Sequence, residues 1–226
     1  MHPATAARPG RDGGRPLPSR YRVGVQERGQ RRYQVRFGWG AAGAARIAAD
    51  AHLLVWVDVL PTPAAAAAPG PEGHRAPLTQ LPVGPEVVLG HLGNVTAVAE
   101  RVLRLQADRG DRCVVAVVAA GHLDEPVGGG AADDAGEFPD VPAVPEFAVE
   151  DLLAAGAVVD ALVTTGIDHT SPEAAAACAA WTGLRRAARH LVTASESADV
   201  LGVERVHAAL AVGPELVTLR PSTERA

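Results

Sequence analysis

The segment LLVWVDVL, residues 53–60, decides the architecture. It is apolar on both alternations, so a strand made from it has no face for water, which is the pattern of a central strand in a sheet covered on both sides. Its one polar residue, Asp58, stands near the C-terminal end, where open α/β sheets place their ligand sites. A second run of the same kind, CVVAVVAA at 113–120, stops at Gly121. Around these two runs helical and strand periodicities alternate. An Ala-rich helix is expected over 41–51, a short strand over 86–90, and a helix over 95–107 with Val95, Val98, Val102 and Leu105 on one face and Asn94 at its N-cap. A helix follows over 147–163, then another over 171–190, with Ser171 as N-cap, Pro172 at the first helical position and Glu173 in the first turn. A short helix over 203–210 and a strand over 215–219 close the chain. Residues 21–25 and 32–37 alternate like strands flanking a turn near 28–29. Such alternation of helices and apolar strands predicts an α/β fold layered around one sheet.

Composition narrows the chemistry. With 226 residues, 47% hydrophobic and 21% charged, the chain suits one sizeable soluble domain, here 21–220, behind a Pro-, Gly- and Arg-rich tail over 1–20 that is expected to be disordered. No apolar run approaches the roughly 18 residues of a membrane span, and no apolar signal core opens the chain, so a cytoplasmic protein is expected. All 21 basic residues are arginine. Schiff-base chemistry, the lysine of a phosphate-binding P-loop and every lysine nucleophile are therefore excluded. Cys113 and Cys178 are too few for a disulfide framework or a structural zinc site, and Cys113 reads as an inert core thiol. The net charge of −5 is uneven: residues 1–36 carry +7 and the remainder −12. The basic arm has no groove-reading motif and no aromatic residue before Tyr21, so nucleic acid is not an expected partner.

Few residues carry chemistry in a useful context. Asp58 inside an apolar strand needs a partner: a metal, an arginine or backbone N–H groups. Glu150 and Asp151 open the 147–163 helix, where carboxylates suit the positive end of the helix dipole, which by itself accounts for them; the alternative is a pair of oxygen ligands presented to a hard cation such as Mg²⁺. Ala154, Ala155 and Gly156 behind them allow a neighbouring helix to approach closely. His122 with Asp124 and Glu125 follows the 113–120 strand, at the head of a long acidic, Gly-rich loop over 121–145. Asp168–His169 lies between two helices and reads equally well as a turn.

Taken in order, several stretches resemble the 2-phosphosulfolactate phosphatase (ComB-like) family. They are QVRFGWG at 34–40, WVDVLPT at 56–62, LGHLGNVTAVAERV at 89–102, VVAVVAAG at 114–121 and VEDLLAAGAVVDAL at 149–162. The last of these is the most specific. The resemblance spans roughly residues 32–212 and implies a three-layer α/β/α sandwich and a Mg²⁺-dependent phosphatase hydrolysing a small anionic phosphate ester on a route to coenzyme M. It implies Asp58, Glu150 and Asp151 as catalytic residues, with Asp58 and Glu150 on the metal, and Asn94, Gly121 and Gly156 at the substrate; a homodimer is left open. The chain also departs from the family's pattern. Pro61 stands where an arginine is expected and Gly38 where a glutamate is, residues 81–89 hold no TTNGT segment, and Ser197–Leu201 replace the family's SGRxL. These departures set a second expectation beside the first, a catalytically decayed homologue acting as a binding or scaffold protein.

Overall fold

The computed structural model describes residues 29–62, 78–122 and 145–223. The expected tail, the strand over 21–25, Asp124 and Glu125 lie outside the described residues. Among the described residues five strands, β1 (Val35–Trp39), β2 (Leu53–Val57), β3 (Glu86–Gly90), β4 (Val115–Ala119) and β5 (Val217–Arg220), form one sheet in the order β1-β4-β2-β3-β5. The pairings β1–β4, β4–β2 and β2–β3 are parallel, and only β5 runs antiparallel, along β3. The helices are α1 (Gly40–Ile47), α2 (Val95–Arg109), α3 (Val149–Thr164), α4 (Pro172–Leu184), α5 (Ala188–Thr193), α6 (Glu196–Leu201) and α7 (Val203–Leu210). The chain is therefore mixed α/β with a mostly parallel sheet.

The continuous apolar runs have the use their pattern predicts. In β2, Leu53, Val55 and Val57 enter one core cluster while Leu54 and Trp56 enter another on the opposite face. The crossover from β1 to β2 and that from β3 to β4 run in opposite directions across the sheet. A common crossover hand then requires their helices to lie on opposite faces. So they do: Ala44 and Ile47 of α1 pack in the second cluster, and Val98, Ala99 and Val102 of α2 in the first. The faces are covered unequally. Helices α2 to α7 all contribute to the first cluster, whereas α1, with Leu78 and Leu81, serves the second among the described residues.

Local signals explain some boundaries. Ser171 caps α4 by accepting from the Ala174 N–H at 3.1 Å, and Pro172 follows at the first helical position. Gly110, with φ +65°, ends α2 in the left-handed conformation that glycine adopts without penalty. The helix expected over 171–190 breaks at 185–187 into α4 and α5, and α6 falls where no element was expected. Strand β2 also stops at Val57 rather than at residue 60, so Asp58 lies just past its end.

Arg36 is an unusual strand residue, 1% exposed on edge strand β1. Its guanidinium donates to the carbonyls of Tyr33, Ile47 and Arg31, and to both oxygens of Asp50, at 2.5–3.2 Å. The Ile47 carbonyl ends α1, where a cation is favoured. The Arg36 hydrogen bond holds the Asp50 carboxyl below the ordinary carboxylate range, against the cost of partial burial. A depressed carboxyl contributes stability that is complete above its unfolded pKa of about 4 and is lost as pH falls through the folded value. Asp50→Asn is therefore expected to flatten the acid limb of stability below pH about 4 and to leave the folded domain intact at neutral pH, as read by thermal melts across pH. An acid limb unchanged in the variant would mean the pair contributes nothing.

Candidate active site at the carboxyl ends of β2 and β4

Strands β2 and β4 are neighbours, and the chain leaves both at the same end of the sheet through Asp58 and Gly121. The first turn of α3 faces that end. Asp151, 3% exposed, accepts from the Val59 N–H through Oδ1 and from the Gly121 N–H through Oδ2, both at 2.9 Å. One carboxylate thus joins the exits of two adjacent strands. Burial raises the Asp151 pKa well above its ordinary value, and the nearby charges of Asp58 and Glu150 raise it further, while the two N–H groups pull it down. Asp58, next to the Val59 N–H that Asp151 accepts from, and Glu150, next to Asp151 in sequence, therefore lie within electrostatic reach of Asp151.

Glu150 is still more enclosed, at 1% exposed. Its Oε1 accepts from the Ser197 hydroxyl and lies 3.5 Å from His122 Nε2. Ser197 Oγ is also in short contact with His122 Nε2. With the Ser197 O–H given to Glu150, the serine oxygen is left to accept from an Nε2–H, which orders the three groups as histidine to serine to glutamate. His122 is anchored by its backbone, which pairs with Glu146 in both directions. Glu150 Oε2 is buried and has no hydrogen-bond partner among the described residues. A buried carboxylate oxygen without a donor is costly, and a cation or a ligand proton would relieve it.

Other expected site residues serve the frame. Asn94 occupies the N-cap position of α2, but its side chain does not cap that helix. Its Oδ1 accepts from the His91 N–H at 3.0 Å and its Nδ2 donates to the Leu89 carbonyl at 2.9 Å, closing the turn between β3 and α2. Gly121 adopts φ +69°, and a side chain there would collide with the Glu146 carbonyl. Gly156 sits where α3 crosses α4, against the Ala177 carbonyl. Asp168–His169 is a turn beside β1: the His169 carbonyl accepts from the Gln34 and Val35 N–H groups at 2.9 and 3.1 Å. Cys113 is buried, and burial pushes its thiol up to about 12, as befits an inert core residue.

Ser197 is the residue that sequence reading missed. It lies 75 positions from His122 and 47 from Glu150, with no motif to join them. Among the described residues no three His, Cys, Asp or Glu side chains surround a common metal position. No helix among them is long and apolar enough to cross a membrane. No protein-family model matches the chain, and no curated protein matches it either.

Proposed function

We propose that this chain is a Mg²⁺-dependent phosphatase of the ComB-like type, a three-layer α/β/α enzyme hydrolysing a small anionic phosphate ester. The observation that carries the reading is the placing of Asp58, Glu150 and Asp151 together where β2 and β4 end, with Glu150 Oε2 buried and unpartnered among the described residues. The donor set suits Mg²⁺, which takes oxygen ligands and uses only one or two carboxylates, completing its shell with water and substrate phosphate. Asp58 and Glu150 would hold the ion, which supplies charge neutralisation at the phosphoryl oxygens and a more acidic bound water. Asp151 positions the strand exits through Val59 and Gly121. His122, tied to Glu150 through Ser197, is the group placed to carry a proton to or from the ester.

The test is phosphate release from a panel of small phosphate esters, 2-phosphosulfolactate among them, with Mg²⁺ and then with EDTA. Turnover that EDTA and Asp58→Ala both abolish is expected. Turnover untouched by alanine at Asp58 and at Glu150 would overturn the reading.

A specific observation favours the second reading, a decayed homologue that binds rather than turns over. A side chain at Gly38, where the family has glutamate, would meet Gly43 Cα and Ile47 Cδ1 at 3.3 Å, so α1 has closed over that position. Folded protein without turnover on any ester would select this reading.

A further inference from the structure

A cavity of about 840 Å³ lies along the outer edge of β1, and none of Asp58, Glu150 or Asp151 lines it. Its lining includes three arginines, Arg31, Arg32 and Arg46, and one acidic residue, Glu173. None of the three arginines forms an ion pair among the described residues, whereas Arg36 pairs with Asp50 and Arg101 with Glu86. Arg31 has the Asp50 carboxyl, already paired with Arg36, within electrostatic reach; gathering three cations without an ion pair of their own is still unfavourable, and it happens here on a protein whose net charge is −5.

The wall is built rather than loose. Gln30 has φ +53°, a left-handed conformation that is uncommon for a non-glycine residue. Its side-chain amide donates to the Phe37 carbonyl at 2.8 Å and accepts from the Phe37 N–H at 3.0 Å, taking the place of a neighbouring strand. Arg36 grips the Arg31 carbonyl from within at 3.1 Å. These bonds fix the turn that carries Arg31 and Arg32. The first residues of α4 close another side, adding the positive end of a 13-residue helix. Trp39 supplies a flat wall, held edge-on to Phe37 at 5.7 Å and tilted against Phe147 at 5.5 Å. Leu152 and Ala177 make the floor apolar.

We infer that this cavity binds a phosphorylated ligand carrying an aromatic ring, of the nucleoside-phosphate class, with the ring against Trp39 and the phosphates on Arg31, Arg32 and Arg46. Phosphate is favoured over a single carboxylate because three guanidinium forks outnumber what one carboxylate can accept. A cavity of this size lies within the range that small-molecule sites occupy, roughly 300–1,000 Å³. The site does not rest on the phosphatase reading.

The test is calorimetry and tryptophan fluorescence of the full chain with ADP, without added Mg²⁺, beside adenosine and inorganic pyrophosphate. Saturable ADP binding is expected, weakened about tenfold or more in Arg31→Ala/Arg46→Ala, whose replaced side chains are exposed, and unchanged in Asp58→Ala. Trp39→Phe should remove the fluorescence change and weaken binding less. Absence of saturable ADP binding overturns the site. So does an affinity that the double variant leaves intact, since the anion then sits elsewhere, on the arginines of residues 1–28 for example. Pyrophosphate binding as tightly as ADP overturns the aromatic half of the assignment.

Discussion

Gly156→Val is expected to lower the melting temperature by about 10 °C or more, the consequence of roughly 4 kcal/mol in a chain of this length. A Cβ at this position would overlap the Ala177 carbonyl oxygen and come within 2.8 Å of the Ala177 carbonyl carbon and the Trp181 Cβ. The nearest obstacles are backbone atoms, so no change of rotamer makes room and α3 must move off α4. That movement also loosens Ala154, Ala155 and Val158, which lie in the main core cluster. The carboxylates in the first turn of α3 would shift with it, so the loss of fold and the loss of site are coupled. Gly183→Ala is the control. Gly183 lies near the end of α4 with nothing within 4 Å of an added methyl, so alanine should leave the melt unchanged or raise it slightly through helix propensity. Thermal melts by circular dichroism check both. A Gly156→Val protein melting like the parent would show that α3 and α4 do not cross at this glycine.

What could be read from the chain beforehand follows from how local each signal is. The strand over 86–90 and the helix over 203–210 have the bounds that periodicity gave them, because side-chain alternation and a 3.6-residue repeat are properties of the segment alone. The start of α4 was equally legible, since Ser171 and Pro172 act on their own helix. Its end was not. The break at 185–187 runs through Arg185, Arg186 and Ala187, good helix formers, and the only local mark is Gly183 just before it, which a helix also tolerates in its interior. Strand order and the antiparallel direction of β5 depend on tertiary packing that periodicity does not record. The site divides in the same way. Glu150 and Asp151 stood out by their place in a first turn, and Asp58 by its apolar surroundings. That Asp151 bonds Val59 and Gly121, 92 and 30 residues away, is a long-range fact with no sequence signature. His122 was singled out with Asp124 and Glu125, but its described partners are Ser197 and Glu150, which only the fold brings to it.

Asp58→Asn should abolish turnover, by about a hundredfold or more, and at the same time make the metal-free protein more stable. The two halves have one cause. Asp151 is buried, and its ionised form is opposed first by burial and then by the charge of Asp58. A carboxyl whose folded pKa is raised favours the folded state below its unfolded pKa, about 4, and loses that advantage as pH rises through the folded value. As pH rises through that folded value, the ionised Asp151 comes to bear the repulsion of Asp58 in the wild-type site. Removing the Asp58 charge lowers the Asp151 pKa toward the ordinary range and relieves part of the cost. The melting temperature without Mg²⁺ should rise by about 2–4 °C, the effect of roughly 1 kcal/mol in a chain of this length. The gain should shrink as pH falls, because a protonated Asp151 no longer feels the Asp58 charge. Added Mg²⁺ should stabilise the parent, because a ligand bound only by the folded state does so by mass action, and should do little for the variant. Melts at neutral and acid pH, with and without Mg²⁺, separate the readings. A carboxylate retained for structure would lose stability on substitution at neutral pH, and that outcome would assign Asp58 to the scaffold. A rise in stability joined to a loss of turnover would mark charges held together for chemistry at the expense of the fold.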